Sequence, residues 1–160
     1  VWPGLPSWQQ ETDADIFEAI QKAVRRGDCG AARIATPDTV TITQELVTQR
    51  LGDVFPGVAD TRIERWVPAH ADLTWANVMG PEFCIIDWED WGMAPRGLDA
   101  ATLWGNALAV PALADRVRQE RRADLASRDG KLMALFFLSK IAGPHAYEEE
   151  AERLVAELQL

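Results

Sequence analysis

Apolar residues recur at helical spacing over most of the chain. From Asp13 to Arg26, the residues Ile16, Phe17, Ile20, Ala23 and Val24 share one face, which predicts a helix closed by Gly27, Asp28 and Gly30. Thr41 and Gln44 have capping-box spacing for a second helix that buries Leu46, Val47 and Leu51 and stops by Gly52 or Pro56. Further on, Asp99 is the expected N-cap of a helix over Ala100 to Val110. Pro111 suits the first turn of the next helix, running to about Ala126. Another covers Lys131 to Ile141, with Leu132, Leu135, Phe136 and Leu138 turned inward. A last one follows Gly143 and Pro144 and aligns Tyr147, Ala151, Leu154, Val155 and Leu158.

The middle of the chain breaks this pattern. Ile63 to Pro68 reads as short and extended. His70 to Asn77 is mixed polar and reads as a loop. Val78 and Met79 begin a strand, Gly80, Pro81 and Glu82 turn the chain, and Phe83 to Ile86 return, so residues 78–86 predict a hairpin. Its second strand ends abruptly in Asp87, Glu89 and Asp90, with Trp88 and Trp91 between them. Three carboxylates within four residues repel one another unless they are solvated or gather around a cation.

The charge balance narrows the partners. The chain has 160 residues, 16 Lys and Arg against 25 Asp and Glu, and a net charge of −9. That argues against nucleic acid and anionic membranes as partners and suits cationic small molecules or metal ions. Cys29 and Cys84 lie far apart without zinc-ligand spacing. Cys84, inside an apolar run, reads as a small core residue, and a reducing cytoplasm is the expected setting. The longest purely apolar run, Leu132 to Leu138, is too short to span a bilayer.

The candidate chemistry sits in the two polar loops. His70, Asp72 and Asn77 form H-x-D-x-x-x-x-N, the spacing of kinase catalytic loops. There the Asp orients the attacking hydroxyl, and the Asn five residues on turns back to hold Mg²⁺. Asp87 follows a strand, where such enzymes place their metal-binding Asp. Mg²⁺ takes hard oxygen ligands: a carboxylate, an amide oxygen, water and substrate phosphates.

HADLTWANV, followed by IIDWEDWG and GLDAATL, resembles the aminoglycoside phosphotransferase and choline kinase-like family, which has a protein-kinase-like fold. The resemblance is specific over residues 66–104 and weaker in the flanking helices. It implies an α+β, mainly helical fold: the C-terminal lobe of a kinase-like protein with a small hairpin at the active site. It implies ATP and Mg²⁺ as cofactors, Asp72 as catalytic base, and Asn77 and Asp87 as metal ligands. His70 would brace the loop, and Asp99 would hydrogen-bond back to its backbone. Glu89 and Asp90 are candidates for holding waters or a second metal, for facing the substrate, or for plain solvation. Two departures stand out: Ala71 where this family usually has Gly, and Glu89 two residues after Asp87, where protein kinases have Gly.

A phosphate lid, a strand Lys and its helix Glu have no counterpart in residues 1–160. The whole stretch therefore reads as one catalytic and substrate lobe, inactive or nearly so by itself. Its N-terminal nucleotide lobe would come from the same polypeptide or from another chain. The acceptor would be a small molecule, and the acidic balance leans toward a cationic one. The main alternative is a pseudokinase or a ligand- or partner-binding module.

A glycoside hydrolase is disfavoured. Asp87, Trp88 and Glu89 resemble the end of a chitinase-type signature, but Ile85 and Glu82 stand where its earlier acids belong. Its barrel also needs roughly 250 residues.

Five of the seven tryptophans (Trp66, Trp75, Trp88, Trp91 and Trp104) fall in this region. Packing around the loops is favoured over a substrate platform. Glu148 to Glu150 suit the start of the last helix. Arg96 could anchor the metal loop or face solvent.

Overall fold

The computed structural model describes residues 40–79, 84–141 and 147–159. The helix expected over Asp13 to Arg26, the tip of the hairpin, and Gly143 and Pro144, expected to lead into the last helix, lie outside the described residues.

Among the described residues the protein is mixed α/β and mostly helical, with two small antiparallel sheets. Helix α1 spans Gln44–Val54. Thr43, not Thr41, caps it: the Thr43 hydroxyl accepts from the Leu46 N–H at 3.2 Å. Ile42 between the two threonines is buried, which sets the entry of the chain. Thr41 instead donates to the Asp90 carbonyl. Val47 and Leu51 are fully buried, whereas Leu46 is exposed, and the helix runs through Gly52.

Strand β1 is Trp66–Ala69, and β2 (Val78–Met79) pairs with β3 (Cys84–Ile85) in the expected hairpin. Cys84 is exposed, contrary to its reading as a core residue. A two-residue strand in a two-stranded ribbon covers only one face, and Cys84 takes the other. Strand β4 (Gly92–Pro95) has no signal in the sequence pattern; it pairs with β1 in antiparallel register, Trp66 opposite Pro95 and Ala69 opposite Gly92.

Helix α2 spans Leu98–Asn106. Its N-cap is Gly97, at φ 90°, so Asp99 lies inside the first turn and is not the cap. Helix α3 is Pro111–Glu120, with Pro at its start as expected. The chain then breaks at Arg121 and resumes as the short α4, Arg122–Leu125. Helix α5, Arg128–Leu138, starts three residues earlier than expected because the Ser127 hydroxyl accepts from the Gly130 N–H. Helix α6 is Glu148–Leu158 and buries Ala151 and Leu154.

Helix α5 is the centre of the core. Leu132, Met133 and Leu135 are fully buried, Phe136 nearly so, and α1, α2, α4 and α6 all pack on it. Two glycines allow close backbone approaches at the start of α5, Gly97 from the start of α2 and Gly130 toward α4. A Cβ on Gly97 would lie 2.7 Å from Gly130 Cα, and one on Gly130 would lie 1.9 Å from the Asp124 carbonyl oxygen. The obstacle is backbone, so relief requires moving a helix. Gly130→Ala is expected to destabilise the fold by about 2–3 kcal/mol, read as a lower urea midpoint at constant slope. An unchanged midpoint would show that the contact is not tight.

Asp129, not singled out by its sequence context, is buried in the first turn of α5. Its carboxylate accepts from the Glu64 N–H at 3.0 Å and the Arg65 N–H at 2.8 Å. It therefore ties the lead-in of β1, and the polar loop that follows, to the central helix. Arg96 makes a second tie of this kind. Its guanidinium donates to Asp124 and to the Ala123 carbonyl, which fastens β4 to α4.

Candidate active site

The first polar loop begins where β1 ends. Ala71 takes φ 70°, a left-handed turn that costs an L-residue on the order of 1 kcal/mol. The turn aims the consecutive N–H groups of His70 and Ala71 at one carboxylate. Asp99 accepts from them at 2.8 and 3.0 Å, one oxygen to each. Burial pushes the Asp99 carboxyl upward from the ordinary Asp range, and these two backbone donors pull the other way. Asp99 thus links the start of α2 to the loop through backbone contacts alone.

His70 is almost fully buried. Its Nε2 lies 2.8 Å from the Ile86 carbonyl oxygen. A carbonyl only accepts, so Nε2 carries a proton, and Nδ1 is buried without a partner among the described residues. The ring also tilts against Trp88, with centroids 4.7 Å apart. His70 is therefore a strut from the first loop to the residue immediately before Asp87.

The Asp72 carbonyl, not its carboxylate, holds the next turn. It accepts from the Thr74 N–H and from Asn77 Nδ2, both at 2.9 Å. The Asp72 carboxylate is left exposed. Asn77 is buried, and with its Nδ2 spent on Asp72 its amide oxygen is free among the described residues. The Asn77 carbonyl accepts from the Ile86 N–H at 3.0 Å, which extends the β2–β3 pairing by a rung and sets Asp87 beside the end of the first loop. Asp87 has φ 64°, turning its exposed side chain out of the strand direction.

The two loops are thus cross-tied at Ile86, through its N–H and its carbonyl. The cross-tie presents one amide oxygen and one carboxylate from adjoining positions. That donor set, two hard oxygens, is of the kind that Mg²⁺ takes. No group of three or more His, Cys, Asp or Glu with metal-site geometry occurs among the described residues, so the remaining ligands would be water and phosphate.

A sequence model of the phosphotransferase enzyme family matches residues 4–136. The chain belongs to that family. The match takes in both polar loops and most of the core helix. No curated protein and no solved structure matches the chain.

Around the family motif the other sequence candidates find their places. Glu89 and Asp90 are exposed in a turn, and the Asp90 backbone is held by Thr41. Trp75 donates to the Leu103 carbonyl and Trp88 to the Ile85 carbonyl. Trp104 is buried, with the Arg118 guanidinium 5.2 Å from its ring centroid. Trp75 thus ties the first loop to α2, Trp88 braces the two loops against each other through His70, and Trp104 belongs to the helical core. Glu150 is bound by Arg118 and Arg153, so the acidic start of α6 is partly neutralised in place. No described helix is long and apolar enough to cross a membrane.

Proposed function

We propose that this family member, as part of its full-length protein, transfers the γ-phosphate of ATP to a hydroxyl of a small molecule with the help of Mg²⁺. The observation that carries this reading is the cross-tie at Ile86, which sets the Asp72 loop and Asp87 side by side in a phosphotransferase-family chain. In this reading Asp72 accepts the hydrogen bond of the acceptor hydroxyl and takes up its proton as the oxygen attacks. Asn77 and Asp87 would hold Mg²⁺, which when bound would supply neutralising charge for the phosphates. His70 and Asp99 keep the loop backbone in shape. Glu89 and Asp90, exposed beside Asp87, would hold water or face the substrate.

Residues 1–160 would be the C-terminal, catalytic and substrate lobe of a protein-kinase-like fold, acting in the ATP-rich cytoplasm. The nucleotide lobe would come from the same polypeptide or from another chain.

The test is Mg-ATP calorimetry on residues 1–160 and on the full-length protein side by side. Binding by the full-length protein alone is the expected result. Binding by neither would overturn the reading in favour of a pseudokinase or a binding module. In the full-length protein, Asp87→Ala is expected to weaken Mg-nucleotide binding by about tenfold or more, the scale of effect seen when a metal site loses a supporting group. Unchanged affinity would remove Asp87 from the metal.

A further inference from the structure

Helices α3 and α6 enclose a cavity of about 460 Å³, within the size range of small-molecule sites. One wall carries Asp115, Arg118 and Gln119 of α3 and Arg122 of α4, at helical spacing. Glu150, Arg153, Leu154 and Glu157 repeat that spacing along α6. Buried Trp104, Leu125, Ala134 and Leu154 give the cavity apolar surface. None of its lining residues belongs to either polar loop.

One cation in this cavity is held from two sides. The Arg118 guanidinium lies 5.2 Å from the Trp104 ring centroid, and its Nη2 donates to Glu150. Both supports are themselves fixed: the indole is buried, and Glu150 also accepts from Arg153. Arg118 Nε and Nη1 have no acceptor among the described residues. The guanidinium is thus ordered with donors unspent, and a ligand that takes them costs little further side-chain entropy.

The surrounding charge sets the sign and size of the ligand's own. Arg118, Arg153 and Lys131 share two carboxylates, Glu150 and Glu157, in a continuous run of ion pairs. Arg122 and Asp115, both exposed, make no ion pair among the described residues. Four cations therefore face three carboxylates in the cavity wall, although the chain as a whole has 16 basic and 25 acidic residues. One negative charge balances the wall. A dianion such as phosphate would exceed that balance and meet Glu150 and Glu157.

We infer that this cavity binds a small monocarboxylate with an apolar, ring-sized body, its carboxylate taken by the unspent edge of Arg118 and by Arg122. Planar guanidinium and planar carboxylate match in geometry, and the apolar body covers Trp104 and Leu154. The site is a second one, and the inference goes beyond the phosphotransfer reading without resting on it.

The test is a titration of the full-length protein with benzoate, without metal or nucleotide. The reporter is the Arg118 Nε–H signal in ¹H–¹⁵N spectra, assigned with Arg118→Lys. It is expected to shift saturably. Benzamide, neutral and of the same shape, should bind about tenfold more weakly, because it offers no charge-assisted bond. Arg122→Gln, at an exposed position, should weaken benzoate about threefold, the scale of an exposed ion pair. Gln119→Trp, also at an exposed position, fills the cavity and should abolish the response. A silent Arg118 signal overturns the proposal. So does equal affinity for benzamide, or a benzoate response that survives both Arg122→Gln and Gln119→Trp, which would place the benzoate elsewhere. Mg-ATP calorimetry reports on the phosphotransfer reading separately, so either can fail without the other.

Discussion

Asp72→Ala in the full-length protein is expected to lower phosphoryl transfer about a thousandfold, within the range attributed to a positioned general base. Mg-nucleotide affinity and melting temperature should stay close to wild type. The separation follows from the local geometry. The turn depends on the Asp72 carbonyl, which holds Thr74 and Asn77, and alanine keeps that carbonyl. The carboxylate is exposed and makes no hydrogen bond among the described residues, so it is released from any structural duty. Steady-state turnover, calorimetry and a thermal melt on the same preparation check all three. Retained turnover would remove Asp72 from the chemistry, and an early melt would show that its carboxylate is structural after all.

Asp99→Ala should have the largest effect on stability. The substitution strands two backbone N–H groups, those of His70 and Ala71, in a partly buried setting and removes both charge-assisted bonds. At about 1.5–3 kcal/mol for a hydrogen bond to a charged group, and with some relief from entering water, a loss of about 3 kcal/mol is expected. For a protein of this size that is a fall in melting temperature of roughly 10 °C. Activity should fall as well, because Ala71 holds its left-handed turn only while its N–H is anchored. A melt within a degree or two of wild type would mean that the loop is held by the His70 strut without Asp99.

The legible parts of this protein were those that local chemistry decides. The helices showed as apolar periodicity, and the two loops showed because their chemistry needs particular residue types at short, fixed spacing. What stayed hidden depends on partners far away in sequence. Strand β4 is four residues, Gly-Met-Ala-Pro, with no alternation to read; it exists because β1, twenty-six residues earlier, offers an edge. Asp129 looks like any acid in the first turn of a helix, yet its carboxylate serves Glu64 and Arg65, some sixty-five residues away. For Asp99 only the capping role was misread: the resemblance implied its bond back to the loop, but Gly97, free to take positive φ, and not Asp99, caps the helix. Thr41 was the expected cap of α1, but the chain buries Ile42 and the cap is Thr43. Cys84 was misplaced because an apolar run does not say how many faces of a short ribbon are covered.

The pairing of β1 with β4 carries one more consequence. Residues 66–95 leave the helical body along β1 and re-enter it along β4, so this stretch is a closed circuit cinched at its base. The β2–β3 ribbon and the Ile86 contacts cinch it a second time in the middle. Each polar loop is therefore a short arc clamped at both ends, and the two arcs share both clamps. Opening the base would release the two loops together, so their amides should exchange with deuterium as one cooperative unit.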